Sequence, residues 1–151
     1  MKKKDYDVIL RSGGDSLLPF VLVYMLYIIF HGHLSPGGGF QGGVLFVAAV
    51  LFVYFGHGYD VTAKAISFNL LHETEGLASV IYVALAMMGI AVGAQFCQNI
   101  LYTQGNIGDL YSSGTIFWMN LTVGLKVVTG IGSITLMMLA LVADRQGGEQ
   151  L

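Results

Sequence analysis

His31-Gly-His-Leu-Ser-Pro-Gly-Gly-Gly-Phe-Gln-Gly-Gly43 separates two apolar runs, and its residues determine whether those runs form one helix or two. Six of its thirteen residues are glycine and one is proline. A helix running through it is disfavoured, because Pro36 biases Ser35 away from the helical region and each glycine lowers helix propensity. The chain turns here. Gly38 and Gly42, like Gly39 and Gly43, stand four apart, which on a helix leaves bare backbone on one face for a neighbouring helix to approach. Two packed helices joined by a corner are therefore expected, and not one long helix.

The same letters contain a misleading pattern. Gly37-Gly38-Gly39-Phe40-Gln41-Gly42 fits the glycine fingerprint of dinucleotide-binding turns, with Asp60 downstream. Such a turn needs a strand before it and an amphipathic helix after it. Here Val44 to Phe55 is an unbroken apolar run with no polar face, so the fingerprint is read as packing glycine.

Composition agrees with a membrane setting: 55% of the residues are hydrophobic, 11% are charged and the mean hydropathy is +0.71, outside the usual soluble balance. The 151 residues allow about four spans of roughly 20 residues each and no sizeable soluble domain beside them. A net charge of −2 gives no electrostatic reason to expect nucleic acid. The single cysteine, Cys97, excludes an internal disulfide or a cysteine-built metal site, and its apolar neighbours suggest a small buried residue.

The fold expected is an all-α integral membrane protein, a single four-helix domain over 1–151 with spans at about 15–31, 39–56, 76–97 and 117–143. Gly13-Gly14-Asp15-Ser16 offers cap-type residues for the first span, which places Pro19 in its first turn. No small-residue cleavage site follows this run, so it is kept as a span and not read as a secretory signal. Between the second and third spans, Ala63, Ile66, Leu70 and Leu71 fall near helical spacing, which suggests a short helix on the membrane surface. Gly89 and Gly93 mark a close helix contact in the third span, and Trp118 with Tyr111 suits the water–lipid boundary at the start of the fourth.

Lysine and arginine set the orientation expected. With four spans, the N-terminal segment (Lys2, Lys3, Lys4, Arg11), the loop carrying Lys64 and the tail carrying Arg145 share one side, and the opposite loops hold none. Short loops rich in these residues stay cytoplasmic, which puts both termini inside and the glycine corner outside.

Lys126 is the one charge clearly inside an expected span. Left charged and unpaired in hydrocarbon it would cost on the order of a few kcal/mol. Thr122, Thr129 and Ser133 lie at i−4, i+3 and i+7, a hydroxyl stripe on its face, and Gly130 lets another helix come near. Two roles fit such a lysine: a member of a proton or ion relay, or a structural group paired to a neighbouring subunit's carboxylate. Glu75, with His72 beside it, begins near the cytoplasmic boundary and is expected to lie out of reach of Lys126. It suits either a favourable helix-dipole carboxylate or a cation entrance. His31 and His33 form a His-x-His pair at the outer edge. It is a weak metal candidate, since no carboxylate or cysteine completes it. No catalytic triad, carboxylate pair or cofactor motif is present, so neither an enzyme in its own right nor a cofactor is expected.

The segment His31 to Gly43, together with Asn120-x-x-x-Gly124-Leu125-Lys126-Val127, resembles the B-type subunit (MrpB/MnhB) of multisubunit Mrp cation/proton antiporters. The same subunit family occurs in Mrp-related respiratory arms such as membrane-bound hydrogenases and sulfur reductases of archaea. The resemblance covers nearly the whole chain. It implies a small multi-pass subunit of a prokaryotic cell membrane, acting in a hetero-oligomer beside antiporter-like subunits with Na+ and H+ as the transported ions. Lys126 is then the buried lysine of the last helix, on or near that path, and Gly124 joins the packing glycines. The alternative is a structural scaffold that holds neighbouring subunits and moves nothing.

Overall fold

The computed structural model describes residues 8–35, 37–103, 106, 108–109 and 112–148. The lysines at 2, 3 and 4, the bend at Pro36 and the boundary position of Tyr111 lie outside the described residues. Five helices follow one another: α1 (Val8–His31), α2 (Gly39–His57), α3 (Tyr59–Ala65), α4 (Phe68–Ala91) and α5 (Thr115–Gly148). Four of them are long and apolar enough to cross a membrane, at Val8–His31, Gly39–His57, Phe68–Ala91 and Thr115–Arg145.

Side-chain placement follows from the solvent these helices need. Large apolar residues such as Phe20, Val23, Val80 and Met138 stand exposed on the outside of the bundle, which suits lipid and would be a liability in water. The interior is small: Val50, Leu71 and Leu136 form its buried centre, with Phe46, Ile66 and Leu139 packed on them. In space the order is α1, α2, α5, α4, because α1 packs on α2, α2 on α5, and α5 on α4. The last helix is thus central.

The glycines explain how closely these helices approach. A Cβ at Gly42 would strike the Ile29 side chain and stand 3.1 Å from the Met25 carbonyl oxygen, so α1 crosses α2 there. One at Gly43 would meet Val127 and, at 3.1 Å, the Val128 amide, where α2 crosses α5. Gly14, which the sequence offers as a cap-type residue, lies 3.2 Å by the same measure from the Phe52 carbonyl oxygen.

Several boundaries differ from the sequence reading, each for a packing reason. α1 continues back to Val8, so Pro19 is inside the helix and not in its first turn. Gly14 and Asp15 are held in helix by α2: Gly14 lies against Phe52, and Asp15 Oδ1 stands 3.5 Å from His57 Nε2. The surface helix divides. Only Tyr59–Ala65 forms α3, opened by Gly58 at φ 83°, a backbone state that favours glycine, while Leu70 and Leu71 belong to α4. Gly89 and Gly93 do not meet another helix. Gly89 is crowded by the Gln95 carbonyl of the following turn, and Gly93, at φ 81° with nothing within 4 Å, ends α4. Cys97 is exposed in that turn and not buried.

Candidate functional site

Lys126 and Ser79 meet near mid-bundle. At about 1.5 Å per residue, Lys126 lies roughly 16 Å along α5 from Thr115, and Ser79 roughly 16 Å along α4 from Phe68. The Lys126 ammonium donates to Ser79 Oγ at 2.7 Å and stands 3.4 Å from Glu75 Oε1. Glu75 and Ser79 are four apart and so share one face of α4. Ser79 Oγ donates in turn to the Glu75 carbonyl at 2.9 Å, which leaves its lone pairs for the ammonium. On α5, Gly130 lies under the carboxylate: a Cβ there would stand 3.5 Å from Glu75 Oε1, so a larger side chain would press on it.

This geometry corrects the expectation that Glu75 lies at the boundary, out of reach of Lys126. α4 begins at Phe68 and not near residue 76, which carries Glu75 about 10 Å into the span. Ser79 is a partner that the sequence reading misses, and the spacing Glu75-x-x-x-Ser79, one face of a helix, is the signal that finds it. The hydroxyl stripe is in place but does not serve the lysine. Thr122, Thr129 and Ser133 are buried, and each donates to its own helix: Thr122 to the Trp118 and Met119 carbonyls, Thr129 to those of Leu125 and Lys126, Ser133 to that of Gly130. Hydroxyls inside helices commonly close on the carbonyls three or four residues back.

His72 is exposed on α4 and stacks on Phe68, apart from the pair. His31 stacks on Tyr27, with ring centroids 4.3 Å apart, and its Nδ1 lies 3.2 Å from the Tyr27 carbonyl. His33 sits edge-on to Phe117. Among the described residues no group of three or more His, Cys, Asp or Glu is arranged to hold a metal.

Asn120 links the two stretches that carry the family resemblance. Its Oδ1 accepts the Gly39 N–H at 2.7 Å, and its Nδ2 donates to the Ile29 carbonyl at 2.7 Å. One amide therefore satisfies an orphan donor at the start of α2 and a carbonyl in the last turn of α1. Gln41 Oε1 takes the Gly38 N–H at 2.8 Å. The contact is close because Gly39 lies on α5 itself: a Cβ there would strike the Asn120 carbonyl and stand 2.6 Å from the Gly124 amide. Gly32 and Gly38 crowd the Asn120 side chain in the same way. Glycine corner and lysine helix are thus one packed unit, with Lys126 less than two turns beyond Asn120.

Comparison with known proteins points the same way. Residues 9–133 match the family model described as a domain related to the MnhB subunit of Na+/H+ antiporter. The antiporter subunit mnhB2 of Staphylococcus epidermidis is 26% identical over 148 residues, covering 94% of this chain and 99% of that one. An uncharacterised protein of Methanocaldococcus jannaschii is 30% identical over 134 residues, covering 85% of this chain and 51% of its own length. In the structure of the membrane-bound sulfane sulfur reductase, an archaeal respiratory membrane complex, one chain is 37% identical with a TM-score of 0.73, over 92% of this chain and 60% of that chain. The chain therefore spans about half to three-fifths of the last two proteins and nearly all of the staphylococcal subunit. With the matched region running from α1 into α5 and including both Asn120 and Lys126, the chain belongs to the MnhB family.

Proposed function

We propose that the chain is a small, non-catalytic membrane subunit of a multisubunit antiporter-type assembly, and that its Lys126–Glu75–Ser79 cluster supports or lines a cation or proton path. The observation that carries this reading is an ammonium and a carboxylate held together about halfway through a span. Ionisable groups at that depth are expensive for a membrane helix and are found chiefly where they work. A lysine beside a carboxylate and a hydroxyl offers a proton donor, an acceptor and an oxygen-lined step for a small cation. The mnhB2 relative and the sulfur reductase chain support the setting: the first is named as an antiporter subunit, and the second comes from the structure of a respiratory membrane complex. Its partners are other antiporter-type membrane subunits, and the transported ions are Na+ and H+. The location is a prokaryotic plasma membrane, with both termini cytoplasmic on the count of lysine and arginine.

A scaffold role is favoured by one observation: the ammonium finds two partners within the chain, as a structural ion pair would. Substitution separates the two. Arginine keeps the charge but does not release a proton at ordinary pH, and methionine keeps approximate length without charge. In membrane vesicles containing correctly assembled variants, a proton-exchanging lysine predicts loss of Na+/H+ exchange in both Lys126→Met and Lys126→Arg. An electrostatic role beside a cation path predicts that Arg is tolerated better than Met. Full exchange in both variants would leave the lysine structural and the scaffold reading standing.

A further inference from the structure

We infer that the α5 face carrying Lys126 docks against a transmembrane helix of a different membrane subunit, and that this helix presents a carboxylate to the Lys126 ammonium. The inference rests on the reading of this chain as a subunit of a larger membrane assembly. The Lys126 side chain is 48% exposed on the outside of the bundle and that of Glu75 is 31% exposed. Hydrocarbon offers a half-exposed ammonium no acceptor, and at mid-span a lysine stem does not reach the headgroups easily. Something polar covers it.

The number of donors narrows what that is. A protonated lysine has three N–H groups, and Ser79 Oγ and Glu75 Oε1 accept two of them, the second at a long 3.4 Å. Among the described residues the third has no acceptor, which leaves it for one outside the chain. Of the two charges the lysine is the more exposed, so an approaching surface meets positive charge first, and its complement is an acidic side chain. Met137, at i+11, lies on the Lys126 side of α5 and Ile134, at i+8, at the edge of that side, and they are 61% and 60% exposed. They give the docking helix an apolar flank, and the charge gives it its register. A charged pair placed this way makes a wrong neighbour costly as well as the right one favourable.

The experiment places a photoreactive side chain at Ile134 in the whole assembly, in native membranes, with the same probe at the exposed Phe20 of α1 as control. The expected adduct joins Ile134 to one transmembrane segment of another subunit, with an Asp or Glu on that segment at the depth of Lys126. Lys126→Met should lower the yield several-fold and leave the Phe20 products unchanged. An adduct confined to lipid, to a second copy of this chain, or to a segment without a carboxylate overturns the inference. If Lys126→Met fails to assemble, Lys126→Arg keeps the charge and must retain the adduct; its absence from an assembled Arg variant is equally fatal. Ion exchange on the same membranes separates this inference from the path reading. The adduct without Lys126-dependent exchange sinks only the path, and Lys126-dependent exchange without the adduct sinks only the docking face.

Discussion

Asn120 closes the glycine corner with one side chain, accepting from the Gly39 amide and donating to the Ile29 carbonyl. Leucine there keeps approximate volume and leaves both backbone groups without their partner. Unsatisfied buried groups of this kind cost about 1–3 kcal/mol each. Asn120→Leu is therefore expected to lower stability by roughly 2–4 kcal/mol, read as an earlier unfolding midpoint of the purified protein in mild detergent. Asn120→Asp keeps the acceptor for Gly39 and loses the donor to Ile29, so it should fall between the two. A midpoint for Leu equal to that of the parent would mean that the corner does not depend on this amide. Asp15 and His57 tie α1 to α2 at the other end of the bundle. The sequence marks Asp15 only as a cap-type residue, because its pairing with His57 becomes visible only once α1 and α2 are known to run back along each other.

At the scale of the helix, α2 is the element that glycine makes possible. It lies between α1 and α5, and side chains at Gly42 and Gly43 would meet backbone on both neighbours. Lipid accepts leucine readily, whereas a close helix contact does not. Replacing both by Leu should leave membrane insertion intact and open the bundle. Paired cysteines spanning α2 and α5 would then fail to crosslink, and the variant would drop out of its assembly. Gly13 is the control. Nothing lies within 4 Å of a Cβ placed there, so Gly13→Ala should be neutral or should stabilise α1 by up to about 1 kcal/mol through helix propensity. If both substitutions had the same effect on the crosslink, the close approach of the helices would not be the reason for these glycines.

For the whole molecule, an even number of crossings brings both ends of the chain to one side, and the proposed orientation makes that side cytoplasmic. A cysteine at Asn106, in the exposed loop before α5, should react with an impermeant thiol reagent added to intact cells. One at Lys64, exposed on α3 at the opposite end, should react only after the membrane is opened. Cys97 is itself exposed, so both probes belong in a background in which it has been replaced. The reverse pattern of labelling would invert the proposed orientation without touching the fold.

Sequence alone determined that this chain is an all-helical membrane protein with four spans, that the chain turns at His31–Gly43, and that Lys126 is the charge needing an explanation. These are properties of composition and local pattern: apolar length, glycine and proline content, and one lysine in a greasy run. The family was also legible, since its two motifs are local strings. The tertiary structure alone decided what Lys126 touches. Its partners Glu75 and Ser79 lie 51 and 47 positions away, and their depth depends on where α4 begins, which mixed loop composition left several residues too late. The hydroxyls expected to serve the lysine are nearer in sequence, yet they close on their own helix. Local pattern determines which residues share a face, but only the crossing of α4 over α5 decides which side chain from another helix arrives there.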